Sequence, residues 1–288
     1  MSGDNIDLSA DNLTRRLTRF LQEAGEYAMS EFNQEIFQEA KYNETLVTAV
    51  DLAISKKFYD DFSDIAQSDD HLIIEEETVD RVPSDTIGDL GRFKTIWSLD
   101  PIDGTLPFAL GMPLWGISLG VFKGDRPWIG AVYFPVIDEL FISDGDLSHH
   151  IRRPFSDHSI STRLKADKPP AEGSKPLVLT QGHLTNTRQL ERQYKALDLY
   201  TAAIMLCYMA KNCAVARIGR DGLWDLAGSW PVLKNAGYEI YDAETGEKLE
   251  RVDPDHFTSD WYQKKNYIVT LPENLQGLLP LVKPGHIS

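Results

Sequence analysis

The chain has little cysteine, few basic residues relative to acidic ones and no long apolar run, and each shortage excludes a class of protein. No stretch approaches the roughly 20 apolar residues that carry a helix across a bilayer. The opening Met1-Ser2-Gly3-Asp4 lacks the basic-then-apolar order of a signal peptide, so a cytoplasmic protein without a membrane partner is expected. Cys207 and Cys213 are the only cysteines. They are too few and too close for a disulfide framework or a zinc site, and both are expected as core thiols. With 29 Lys and Arg against 44 Asp and Glu, the formal net charge is −15 and the isoelectric point about 4.9. That balance argues against a nucleic-acid polymer as partner, because such binding is driven by Lys and Arg displacing counterions. A small phosphate is still admissible, provided a cation mediates.

The 288 residues, 42% hydrophobic and 25% charged, suffice for one large domain or two joined lobes. Leu13, Leu17, Phe20, Leu21, Ala24 and Ala28 recur at helical spacing within 13–36, with Asp11 as a candidate cap. Ala53 to Ile65 reads as a second helix. Strand-type runs follow at 72–74, 93–99, 116–122, 128–134 and 139–142, and the turn-like Lys123-Gly124-Asp125-Arg126-Pro127 makes part of that sheet antiparallel. The proline- and charge-rich stretch 146–175 reads as a mobile connection between an N-terminal α+β lobe, 1–145, and a C-terminal α/β lobe, 176–288. In the second lobe a strand (177–180), helices (about 187–199 and 201–210) and a strand (214–218) precede a helix after Asp225, a strand near 238–241 and a last strand and helix over 267–282. Helices alternating with strands predict an α/β sandwich of alternating helical and sheet layers.

The sharpest segment is Trp97-Ser98-Leu99-Asp100-Pro101-Ile102-Asp103-Gly104-Thr105, where an apolar strand runs into two carboxylates across a proline turn. Both acids and the Ile102 carbonyl can face one point, an all-oxygen site that suits Mg²⁺. Gly104 and Thr105 then open the next segment with free N–H groups, which suit a phosphate. The same pattern also occurs in ordinary surface turns. Glu75-Glu76-Glu77 closes another apolar strand, as a solvated strand end would, and Asp225 opens a helical pattern, as an N-cap would.

Taken together, Glu76-Glu77, Asp100 to Thr105 and Trp224 to Gly228 resemble, in that order, the three signatures of the inositol monophosphatase family of Mg²⁺-dependent, lithium-sensitive phosphatases. Leu46 to Asp51 looks like the family's first acidic motif, and Lys41 stands near a family lysine. The resemblance implies that Glu76, Asp100 and the Ile102 carbonyl hold one Mg²⁺ and that Asp100, Asp103 and Asp225 hold a second, with a looser third beside Glu76. It further implies that Thr105, oriented by Asp51, positions the attacking water, that Glu76 assists in taking its proton, and that the Gly104 and Thr105 amides hold the phosphate. A homodimer is also implied.

The match thins where substrates are read. Leu197-Asp198-Leu199-Tyr200-Thr201-Ala202-Ala203 replaces an Arg-x-x-Gly-Ser-Ala-Ala segment, without its arginine or glycine. Near the family's inositol-binding glutamate stand Arg217 and Arg220, which suit an anion better than a polyol. Phe108 to Gly116 and Pro231 look like the histidinol-phosphate phosphatase branch, and Thr180-Gln181-Gly182-His183 resembles the bisphosphate nucleotidases. Arg217, Arg220 and His183 are therefore the candidate substrate residues, while His149 and His150 read as loop residues. The first expectation is a sugar- or inositol-type monoester, with histidinol phosphate or a bisphosphate as alternatives. A non-enzymatic regulatory protein that kept the fold is a further alternative.

Overall fold

The computed structural model describes residues 6–32, 38–40, 46–167, 176–180, 190 and 192–282. Helix α1 (Ala10–Glu31) buries Leu13, Leu17, Phe20, Leu21, Ala24 and Ala28 on one stripe, as their spacing requires. Ser9 is its N-cap residue and Asp11 lies in its first turn, so Asp11 is not the cap. After a short hairpin, β1 (Gln38–Ala40) with β2 (Leu46–Thr48), come α2 (Ala49–Asp61) and α3 (Ser63–Ala66).

A seven-stranded sheet follows, its strands side by side in chain order. They are β3 (His71–Glu75), β4 (Thr95–Asp103), β5 (Gly116–Lys123), β6 (Arg126–Phe134), β7 (Glu139–Ser143), β8 (Ser148–Arg152) and β9 (Ile160–Arg163). Only β3 and β4 run parallel; every later pair is antiparallel. The stretch 146–175, expected as a mobile connection, thus carries two strands of this sheet. His149 and His150 lie in β8 rather than in a loop, and His150 stacks on Phe141 beside Glu139.

The second sheet has five strands in the order β11, β10, β12, β14, β13. These are β10 (Leu177–Thr180), β11 (Lys195–Leu197), β12 (Ala216–Gly219), β13 (Glu239–Asp242) and β14 (Tyr267–Thr270). β11 occupies residues expected at the end of a helix, and it pairs parallel to β10. Between the sheets lie α5 (Ala202–Ala210), α6 (Leu223–Ala227) and α7 (Ser229–Ala236), which follow the short α4 (Thr105–Ala109) in the chain; α8 (Leu275–Val282) closes the outer side.

Three apolar clusters fill the gaps. Phe20, Phe58, Trp97 and Leu119 join α1 and α2 to the large sheet. Phe122, Phe134, Met205, Trp230 and Val269 join the sheets through α5 to α7. Ile218, Ile268 and Leu278 seat α8. Alternation along the strands feeds each cluster in turn: Trp97 and Ile96, or Ile268 and Val269, point to opposite faces. The result is the expected sandwich of alternating helical and sheet layers. Of the two cysteines, Cys207 is a core thiol, but Cys213 is exposed just past the end of α5, which corrects the expectation for it.

Candidate active site

The site forms where β4 breaks register. Asp100 pairs with Ser118 of β5 and Asp103 with Gly116, so Pro101 and Ile102 face a single residue of β5 and bulge from the ladder. Proline contributes no amide there, which removes the reason to stay in register. The Ile102 carbonyl is free of the ladder and accepts the Thr105 hydroxyl at 3.1 Å. Gly104 then turns the chain with φ of +92°, and a Cβ there would meet the Leu114 carbonyl oxygen at 2.6 Å. Only glycine meets both demands.

Asp225 arrives from the opposite side. It is the third residue of α6, and its Oδ2 accepts the Gly222 amide at 2.9 Å, so it also caps its own helix. α6 rests on the large sheet because β5 and β6 carry glycine beneath it: a Cβ on Gly120 would collide with the Ala227 carbonyl, and one on Gly130 with that of Gly228. Ser118 donates to the Trp224 carbonyl at 3.2 Å and pins the helix opposite Asp100.

Carboxylate oxygens of Asp100, Asp103 and Asp225 come to lie within 4.8 Å of one another. Asp100 and Asp103 are buried, at 1% and 4% exposure. Burial, and then the charges of Glu76, Asp103 and Asp225, hold the Asp100 carboxyl well above the usual carboxylate range. Burial raises Asp225 to about 8, helped by Asp221 and Asp103. Asp103 is raised to about 6 by burial, against the Thr201 hydroxyl and the amides of Ala203 and Ala202, each amide at 3.0 Å, which favour its charged form. Glu76, in the turn after β3, is also held well above the usual range, by burial and by the charges of Asp225 and Asp51. Asp51, on the first turn of α2 and 1% exposed, thus faces the same cluster.

Among the three consecutive glutamates the structure separates roles. Glu75 is fully buried and accepts the hydroxyls of Ser55 and Thr78 and the Glu77 amide, which ties β3 to α2. Glu76 bears the repulsion of both Asp225 and Asp51.

These carboxylates fit a hard cation. They are oxygen donors only, they repel one another, and the buried Oδ1 of Asp100 has no hydrogen-bond partner among the described residues. A buried oxygen in that state is costly unless something positive meets it.

The expected substrate residues are not gathered here in the same way. Arg217 points into the sandwich, 1% exposed, with both terminal nitrogens on the carboxylate of Asp221, one of them at 2.5 Å. The Asp221 amide is in turn held by Gln263 at 3.0 Å. Arg217 therefore neutralises an internal acid instead of presenting a free cation to an anionic substrate. Arg220 is exposed on the loop after β12. His183 and Lys41 lie outside the described residues.

Three residues near the site escaped the sequence reading. Thr201 locks Asp103; its signal was a lone hydroxyl capping an otherwise apolar helix. Asp221 adds charge beside Asp225, and its pairing with Arg217 at four residues' distance leaves no mark in composition. Tyr262 pairs with Gly222 in an isolated β-bridge, sets its ring 5.0 Å from that of Trp224, and has its phenol pushed up to about 12 by burial and by Asp225, Glu76 and Asp100. Nothing local distinguished it from any loop tyrosine.

Comparison with known proteins agrees with this geometry. The family model described as "Inositol monophosphatase family" matches residues 10–283. Inositol monophosphatase 1 of Solanum lycopersicum is 30% identical over 234 residues, 78% of this chain and 82% of that one. Among solved structures, an IMPase/NADP phosphatase complexed with NADP and Ca²⁺ superposes with a TM-score of 0.74 at 15% identity, over 97% of this chain and 98% of the other. An inositol monophosphate-bound SaIMPase-II does so at 0.66 and 20% identity, over 94% and 93%. At these identities the structures speak for the fold, and the family model and the tomato relative speak for descent: the chain belongs to the inositol monophosphatase family.

Proposed function

We propose that this chain is a cation-dependent phosphatase that hydrolyses a small alcohol phosphate monoester, with Mg²⁺ as the cation. The observation that carries the reading is the buried cluster of Asp100, Asp103 and Asp225, with an Asp100 oxygen left without a partner among the described residues. Glu76, Asp100, Asp103, Asp225 and the Ile102 carbonyl would hold the ions, two by resemblance to the family, with a third beside Glu76. Bound there, they would supply Lewis acidity and cancel the charge of a phosphate dianion, whose uncatalysed hydrolysis is among the slowest reactions known.

The chain's own groups do the rest. By resemblance to the family, the Thr105 hydroxyl, which here donates to the Ile102 carbonyl, would turn to Asp51 and accept a hydrogen bond from the attacking water. Glu76, ionised beside the bound cations, takes the proton, as the resemblance to the family implies. The amides of Gly104 and Thr105 donate to the phosphate oxygens. Water adds to phosphorus as the ester oxygen leaves and takes up a proton from solvent to depart as the alcohol, so no covalent enzyme intermediate is needed. Lithium inhibition and a homodimeric state accompany this reading by resemblance.

The substrate reading shifts with Arg217. A bisphosphate was attractive because two arginines could bind a second phosphate, and one of them is already paired with Asp221. An inositol- or sugar-type monoester stays first, and related structures bound to inositol monophosphate or 2′AMP show that such folds accept phosphate monoesters of differing alcohols. The test is phosphate release from inositol 1-phosphate, histidinol phosphate and adenosine 3′,5′-bisphosphate with millimolar Mg²⁺ or with chelator. Release from at least one monoester that disappears with chelator is expected. No release from any ester would overturn the reading.

A further inference from the structure

Beside the carboxylate cluster lies an apolar cavity of about 340 Å³, lined among the described residues by Leu106, Leu110, Met112, Leu114, Leu199 and Tyr200, with Asp198 on its wall. Its walls continue the two segments that build the site. Leu106 follows Thr105, and Tyr200 precedes Thr201, whose hydroxyl holds Asp103.

Tyr200 is unusual twice over. Its φ is +56°, a left-handed conformation that costs a bulky residue free energy, and its side chain is 70% exposed. A glycine would take that backbone without strain. Leu110, on the same rim, is 64% exposed. A strained tyrosine and an exposed leucine gain nothing for the fold by facing water one residue from the site.

We infer that this cavity is the subsite for the alcohol part of the substrate, and that it takes an uncharged alcohol bearing an aromatic ring or aliphatic chain. The inference rests on the phosphatase reading and, within it, replaces the inositol- or sugar-type monoester as first substrate by an apolar alcohol phosphate. A polyol would set its hydroxyls against leucine and methionine side chains and lose hydrogen bonds to water without replacement. Asp198 is the one acid among the described lining residues, and its Oδ1 accepts the Tyr200 amide at 2.8 Å. A second phosphate would meet that carboxylate, and no Lys or Arg stands among the described lining residues. An aromatic or aliphatic group instead replaces water along the whole wall while the phosphate stays at the carboxylate cluster.

The test compares kcat/KM for benzyl phosphate and glycerol 3-phosphate, whose leaving alcohols differ in the ring rather than in the kind of ester bond. It uses the parent, Tyr200→Gly and Leu110→Glu, with the oligomeric state of each measured by sedimentation. The parent should prefer benzyl phosphate by about tenfold or more, the worth of burying one apolar ring. Each variant should lower that ratio by about tenfold, chiefly through KM, and Tyr200→Gly should leave the melting temperature unchanged or higher. A parent ratio near one, or a ratio unmoved by both variants, overturns the subsite. So does a dimer that Leu110→Glu dissociates with the ratio unchanged, since the cavity is then a contact between copies of the chain. If both esters are turned over and only the ratio disagrees, the phosphatase reading survives; if neither is turned over, both readings fall.

Discussion

Asp225 serves two purposes, and they can be separated by one substitution. One carboxylate oxygen caps α6 at Gly222 while the charge faces Asp100 and Asp103. Asparagine caps a helix about as well as aspartate. Asp225→Asn should therefore keep the fold, lower turnover by orders of magnitude, and raise the melting temperature of the metal-free protein by removing a repulsion; thermal scans and phosphate release check this. Arg217 behaves in the opposite sense. Arg217→Met leaves Asp221 buried and uncompensated, and should cost about 3–5 kcal/mol in denaturant unfolding, whereas Arg220→Ala, on an exposed side chain, should cost almost nothing. The contrast shows what was legible at this scale. Asp100, Asp103 and Asp225 could be read because their spacing and their place at element ends are local properties. Arg217 was read as an anion binder because a sequence records a charge but not the carboxylate it is buried against.

At the scale of elements, the packing of α6 on the large sheet decides whether the cluster assembles. Gly120 and Gly130 leave no side chain between the sheet and the backbone of 227–228. Gly120→Ala should push α6 outward, destabilise the protein by about 1–3 kcal/mol as an overpacked core does, and weaken Mg²⁺ binding along with stability. Titrating Mg²⁺ against melting temperature would reveal both losses together; an alanine variant with unaltered Mg²⁺ affinity would show that the close approach does not position Asp225. The elements that were legible are those with a buried face, such as α1 and β4 to β7. Every residue of β9 and β11 is exposed, so neither strand carries the alternation that marks a half-buried strand. One was read as part of a linker and the other as the end of a helix for that reason.

For the whole molecule, the raised carboxyls link stability to pH and to cation. Asp103 at about 6 and Asp225 at about 8 hold protons that the unfolded chain, with carboxyls near 4, has already released. The metal-free protein should therefore lose stability as pH rises from about 4 to about 8, since over that window the folded state binds more protons than the unfolded one. A cation that binds only the folded, ionised cluster reverses the trend. The rise in melting temperature on adding Mg²⁺ should be larger at pH 8 than at pH 6, and scans at the two values check it. The most direct test of the central claim is the initial rate of phosphate release from a small monoester as a function of Mg²⁺, after chelator treatment, in the parent and in Asp100→Asn. The account predicts a parent rate that rises from near zero and saturates, and a variant rate lower by orders of magnitude at every concentration. A parent rate indifferent to Mg²⁺, or an Asp100→Asn protein as active as the parent, would contradict it.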